Sequence, residues 1–166
     1  MPVKILSLPT VSALLMCSGA YAQSDSLLKI ADNLPLKEVW LNAGFYSYHF
    51  QCGKGLNDGN PGFGAEYRFS TVSSLTAGRF YNSERKFSNY VGIYYQPIVI
   101  GPVRLGAVIG GFNGYPMAFN GGWFLAAIPA ASVEYQRLGL NLTIVPSYKD
   151  RLYGAVSIQF KLKIFD

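Results

Sequence analysis

The sequence predicts an all-β fold: an eight-stranded antiparallel transmembrane β-barrel with a short N-terminal amphipathic helix. Three observations carry that expectation. The last stretch, Leu152 to Phe165, alternates strictly, with Leu152, Gly154, Val156, Ile158, Phe160, Leu162 and Ile164 on one face. Its other face carries Tyr153, Ala155, Ser157, Gln159, Lys161, Lys163 and Phe165. A tilted strand crossing a bilayer needs about 9–11 residues, apolar toward lipid and polar toward a lumen. The composition agrees: 50% of the 166 residues are apolar, 15% aromatic and only 14% charged. That is too little charge to cover a water-soluble surface, which ordinarily draws on roughly 25%. Finally, strand-like runs recur at regular intervals with turn residues between them, and strands can cross hydrocarbon only as a closed barrel.

Residues 1–22 read as a secretory signal, with Lys4 in the n-region, Val11–Met16 in the apolar core and Ala20-Tyr21-Ala22 as the cleavage site. Cleavage near Ala22 discards Cys17 and leaves Cys52 as a lone thiol, which excludes an intramolecular disulfide. Residues 23–37 form the helix and its linker. Leu27, Ile30, Ala31 and Leu34 recur at helical spacing behind Ser24 or Asp25 as cap, and Pro35 ends the run. Such a helix suits a membrane interface.

Residues 38–166 form the barrel. Its strands are expected at Glu38–Phe50, Gly62–Thr71, Ser74–Ser83, Phe87–Gln96, Pro102–Phe112, Gly122–Arg137, Gly139–Pro146 and Leu152–Phe165. In the second, Phe63, Ala65, Tyr67 and Phe69 alternate with Gly64, Glu66, Arg68 and Ser70. The first changes phase near Gly44, which predicts a bulge and turns Ser47 and His49 inward. Short turns at Val72-Ser73, Pro97–Gly101 and Leu138 then lie on the periplasmic side, and longer loops on the extracellular side. A two-residue turn at Val72-Ser73 sets Glu66 opposite Arg79 as a lumen ion pair, which spares Arg79 a lipid-facing position. Pro129 and Pro146 lack a ladder donor and should each mark a gap in pairing.

Several function classes drop out. The net charge of +5 is scattered among tyrosines and glycines, which fits an anionic membrane surface and not nucleic acid. One histidine and no metal-spaced cluster leave no metal or other cofactor to expect. What remains is a rim constellation. The topology brings His49, at the outer end of the first strand, to the same rim as Asn82 and Ser83, at the outer end of the third. Acyl transfer needs a base, a hydroxyl that the base can activate, and a group to orient the base. Lys54, Arg85, Lys86, Lys149 and Arg151 in the outer loops suit phosphate groups.

Tyr48-His49, Phe80-Tyr81-Asn82-Ser83 and Ile128-Pro129-Ala130-Ala131-Ser132-Val133-Glu134-Tyr135 resemble the lipid A palmitoyltransferases of the outer membrane, the PagP family. The resemblance spans most of the chain beyond the signal at low identity. It implies transfer of a palmitoyl-like chain from a phospholipid to lipid A by an outer-membrane monomer. His49 matches that family's histidine and Ser83 its serine. Asn82 stands where the family has aspartate, so an amide would orient the imidazole, with Glu84 close enough in sequence to take the aspartate's place. The resemblance also implies an apolar lumen whose depth sets the chain length. Tyr94 falls near its floor, where the family has a small residue, and implies a chain shorter than palmitoyl. The competing readings are a non-enzymatic small barrel, structural or adhesive, and a lipid A deacylase. His49-Phe50-Gln51 lacks the His-x-Ser arrangement that deacylases resemble.

Overall fold

A computed structural model describes residues 27–51, 53–149 and 152–166. The signal segment, Ser24–Ser26, Cys52 and Arg151 lie outside the described residues. The strands are β1 (Leu28–Ile30), β2 (Pro35–His49), β3 (Gly59–Ser70), β4 (Ser73–Tyr81), β5 (Phe87–Ile100), β6 (Val103–Phe112), β7 (Phe124–Tyr135), β8 (Leu138–Val145) and β9 (Ala155–Phe165). β2 to β9 pair antiparallel in sequence order, and β9 returns to pair with β2. The result is a closed eight-stranded barrel that leaves no open edge between first and last strands. Short connections at 71–72, 101–102 and 136–137 share one end with Leu27 and Asp166, the first and last described residues, here the terminal end. The connections at 50–58, 82–86, 113–123 and 146–154 form the other, the loop end.

Alternation decides the faces. Phe63, Phe160, Ile109 and Leu125 are exposed on the outside, with Leu125 at 85%. Gln159, Lys161, Asn141, Glu66 and Arg68 are buried inside. Tyr46, Tyr48 and Trp123 stand exposed toward the loop end, and Tyr135 and Phe165 toward the terminal end. An apolar band between aromatic girdles is the exterior of a membrane-spanning barrel. The expected bulge is present: β2 slips against β3 between Ala43 and Phe45 and against β9 between Asn42 and Phe45, past Gly44. Beyond it Tyr46 and Tyr48 face out, and Ser47 and His49 face in.

Three expectations are corrected. The helix predicted over Ser24–Leu34 is, in its described part, a short strand: Leu28–Ile30 pairs antiparallel with Ile98–Ile100. The reason is an open edge. The β4–β5 ladder begins at Ser73↔Tyr95, so β5 extends past β4 with nothing beside it until β1 arrives. Ala31 N–H also donates to the Pro97 carbonyl at 2.8 Å. Helical spacing in the sequence loses to these backbone pairings.

The turn expected at Pro97–Gly101 is smaller. β5 absorbs Pro97 through a slip between Tyr95 and Ile98, and only Gly101-Pro102 turns, with Gly101 at φ +56°.

The Glu66–Arg79 pair is also absent. Glu66 lies opposite Thr76, and Arg79 lies opposite Phe63. The hairpin turns on Ser70, whose Oγ accepts from Val72 N–H (3.4 Å) and Ser73 N–H (3.1 Å). That turn moves β4 three residues against β3 and sends its odd-numbered residues outward. Arg79, near the loop end, lies over the Phe87 ring at 4.4 Å, so its charge sits at the interface and not in mid-bilayer.

One irregularity follows the prolines as expected. β7 and β8 pair from Tyr135↔Leu138 up to Ala130↔Thr143 and no further. The loop-end half of β7, Phe124–Pro129, remains paired to β6 but not to β8. β8 itself stops at Val145, before Pro146.

Candidate functional site

The lumen divides into two compartments. Toward the terminal end it is filled by charge. Lys161 Nζ reaches Glu66 at 3.1 Å and Glu134 at 2.7 Å, with its side chain fully buried. Arg68 bonds Glu134 and Glu38, and Arg104 also bonds Glu134. Lys163 holds Glu38 at 3.2 Å. Trp40, 1% exposed, lies among the cations, 4.8 Å from Lys161 and 5.6 Å from Arg68. Glu66, the expected lumen carboxylate, therefore takes Lys161 as its partner in place of Arg79, with Ser74 and Asn141 also donating to it. Buried charges persist where they are paired and hydrogen-bonded, so this compartment is a plug.

Toward the loop end the lumen is an apolar well of about 850 Å³, counting its open mouth. Tyr94, Val108 and Ile128 pack together deep in it. Tyr94 stands between the well and the charged plug, opposite Ser74, whose hydroxyl bonds Glu66. Higher up, a collar of rings surrounds the space: Phe45 against Phe80 (5.0 Å), Tyr90 against Phe112 (6.3 Å) and Phe112 against Phe124 (6.1 Å). Tyr90 can lie flat across β4 because Gly78 has no side chain there; a Cβ would meet the Tyr90 hydroxyl at 2.6 Å.

His49 and Ser83 both line this well at its mouth. The structure brings them to one cavity without a hydrogen bond between them. The residue that orients His49 is one the sequence analysis passed over. Asp58 Oδ1 lies 2.8 Å from His49 Nδ1. A carboxylate only accepts, so Nδ1 carries the proton and Nε2 keeps its lone pair as a base. The side chain of His49 is 7% exposed and that of Asp58 53%, so the pair spans from cavity to solvent. Asp58 is held by its backbone: Ser47 N–H donates to the Asp58 carbonyl at 2.8 Å, which continues the β2–β3 ladder beyond Tyr46↔Gly59.

Asn82 does not orient the imidazole. Its amide is fully buried and fully used, with Nδ2 donating to Ser88 Oγ (2.9 Å) and the Gly114 carbonyl (2.7 Å). Its Oδ1 accepts from Glu84 N–H (2.9 Å) and Lys86 N–H (3.0 Å). Four bonds saturate an amide, and Asn82 is the pin of the β4–β5 loop. It thereby fixes Ser83, whose carbonyl also accepts from Asn57 N–H at 2.9 Å. Glu84 does not replace it either. Its carboxylate accepts from Met117 N–H at 3.1 Å, and burial raises its pKa above the usual glutamate value.

Of the expected phosphate ligands, Arg85 and Lys86 are exposed on the β4–β5 loop. Lys54 lies over Tyr153 at 5.9 Å and Lys149 over Tyr148 at 5.6 Å. All four belong to the loop end. No cluster of three or more histidine, cysteine or carboxylate side chains is placed to hold a metal ion among the described residues.

No protein-family model matches the chain, and no curated protein matches it. Among solved structures it is similar to the de novo designed barrel TMB2.3, solved by solution NMR. The TM-score is 0.54 at 14% identity, covering 82% of this chain and 100% of that one. A second de novo designed transmembrane β-barrel gives a TM-score of 0.51 at 15% identity, with the same coverage. At these identities the likeness carries the fold, a transmembrane β-barrel, and nothing about chemistry.

Proposed function

We propose that this barrel is an outer-membrane acyltransferase that moves a fatty acyl chain from a phospholipid to a lipid A-type glycolipid. The observation that carries the reading is the His49–Asp58 pair at the mouth of an apolar well that also takes in Ser83. His49 Nε2 takes the Ser83 hydroxyl proton as Oγ attacks the ester carbonyl of the phospholipid. The ester C–O bond then breaks, His49 returns the proton to the departing lysophospholipid oxygen, and an acyl-serine remains. A glycolipid hydroxyl attacks that ester with His49 again taking its proton, and Ser83 leaves with the proton restored. Asp58 holds the imidazole in the tautomer both halves require.

The loop end faces the outer leaflet in this reading, where Lys54, Arg85, Lys86 and Lys149 meet phosphates on the glycolipid. The unpaired stretch between β7 and β8 gives a lipid chain a sideways route into the well. From Ser88, opposite Phe80 and bonded by the Asn82 side chain, to Tyr94 is six residues of β5, about 20 Å along the strand and about 15 Å along a tilted barrel axis. A carbon zigzag advances about 1.25 Å per atom, so the well takes about 12 carbons, fewer than palmitoyl has.

Mass spectrometry of lipid A from cells expressing the protein tests the proposal. A mass gain of one acyl chain of roughly that length, absent with His49→Ala, is expected. Loss of a chain would identify a deacylase that uses water as acceptor, and unchanged lipid A in both samples would leave a non-enzymatic barrel.

A further inference from the structure

Below its rim, one side of the well carries a row of three small hydroxyl side chains. Ser47 on β2, Ser157 on β9 and Thr143 on β8 are direct cross-strand partners in turn. All three line the well, each no more than 7% exposed. The direction of hydrogen bonding along this row is determined. Asn60 Nδ2 donates to the Asn57 carbonyl (3.2 Å) and the Tyr81 carbonyl (3.0 Å), which fixes its Oδ1 as the acceptor. Ser47 spends its proton on that Oδ1 at 2.7 Å. The 2.9 Å contact between Ser47 and Ser157 must then be a donation from Ser157. Ser157 Oγ is left at the end of the relay as an acceptor with no donor, facing the cavity. Thr143, next in the row, has no side-chain hydrogen bond, and it sits where the β7–β8 pairing ends.

A hydrocarbon chain offers nothing to such a row. Ser157 Oγ already makes one hydrogen bond, and a plain chain filling the well would leave its acceptor lone pairs unused, whereas a hydroxyl would fill one. The geometry points to a hydroxylated fatty acyl chain as the ligand of the well, its hydroxyl donating to Ser157 and accepting from Thr143. The level also fits. Ser47 lies two residues below His49 on β2, about 7 Å along the strand and about 5 Å along the axis. A carbonyl within about 3 Å of the base puts its β carbon about 2.5 Å deeper, at the row. This inference rests on the reading of the well as an acyl site and narrows its substrate class to β-hydroxyacyl chains.

The test uses the full chain folded in a sterol-based detergent too bulky to enter the well, with a dansyl-labelled fatty acid as reporter. Dodecanoic acid and each enantiomer of β-hydroxydodecanoic acid compete for it. One enantiomer is expected to displace the reporter at about fivefold lower concentration than the plain acid, the worth of one neutral hydrogen bond. Ser157→Ala should abolish that preference, with the hydroxylated acid then displacing the reporter no better than the plain acid. Equal displacement by plain and hydroxylated acids, or a preference that survives Ser157→Ala, overturns the inference. If neither acid displaces the reporter, the acyl reading of the well falls with it. A preference for the hydroxylated acid in a protein that leaves lipid A unchanged would instead remove the transferase and keep the hydroxyacyl site.

Discussion

The two halves of the lumen are built on opposite terms. In the terminal half every described charge has a partner, and the space is closed by Glu38, Glu66, Glu134, Arg68, Arg104, Lys161 and Lys163 around Trp40. In the loop half the wall is mostly aromatic and aliphatic, the space is open, and His49 and Ser83 line its mouth. The plug fills its half with charges that depend on one another for pairing, and the well is where another molecule can go. Substitutions in the first should therefore register in unfolding, and those in the second in chemistry.

The largest effect belongs to Lys161→Met. It leaves Glu66 and Glu134 without their shared ammonium inside the barrel. Removing one partner of a buried pair costs about 3–5 kcal/mol, read here as the unfolding free energy in urea from lipid vesicles. His49→Ala in the same assay should change stability by less than about 1 kcal/mol, since Asp58 remains half-exposed to solvent. Equal losses in the two variants would erase the distinction between plug and well.

Next in size is the chemistry at the rim. His49→Ala should slow acyl transfer by about 10²–10⁴, the worth of a positioned general base. Asp58→Asn keeps a hydrogen bond to Nδ1 but permits the wrong tautomer. It should lose about 10² with its stability intact, followed as the rate of lipid A modification in vesicles. Asn82→Ala is the contrast, because it acts by loosening the loop that carries Ser83. An Asp58→Asn variant at full rate would remove Asp58 from the mechanism.

How much of this was legible beforehand follows the same division. Period two reports a dichotomy between lipid and lumen, so β3 from Gly62, β8, and β9 from Ala155 to Ile164 follow the alternation residue by residue, and the phase change at Gly44 disclosed its own bulge. Leu152, expected on the lipid face of a longer last strand, instead lines the well, and Phe165 turns outward. Register between strands is a different quantity. Alternation fixes the faces within β4, but Leu75, Ala77, Arg79 and Tyr81 compete with Ser74, Thr76, Gly78 and Phe80 on equal terms for the inside. A single serine turn at Ser70 decides between them, and with it the partner of Glu66. Asp58 was missed for a related reason. Gln51–Pro61 is rich in Gly and Asn and reads as a loop, yet its second half returns as strand, and Asp58 meets the strand that carries His49 nine residues earlier. The available signal was the histidine itself, on a hairpin whose connecting segment, residues 50–58, holds one acidic residue. Asn82 could not be assigned from sequence, because an amide that pins a loop and one that orients an imidazole have the same letters around them.

The smallest effect sits where the two long rim loops meet. Burial raises the Glu84 carboxyl pKa, and the Met117 N–H that donates to it works the other way without cancelling the shift. A raised folded-state value means that the native loop keeps the proton while the unfolded one has lost it. The contribution of Glu84 is then fully present below the ordinary value near 4.5 and is lost as pH rises through the higher folded value. Protection of the Met117 amide against hydrogen exchange should decline across that window, after correction for intrinsic exchange. Glu84→Gln, which still offers an acceptor and cannot ionise, should flatten the decline. Because the contact joins the β4–β5 loop to the β6–β7 loop over the well, the loosening belongs to the mouth alone. Amides beside the plug, such as those of Lys161 and Glu66, should keep their protection through the same pH range.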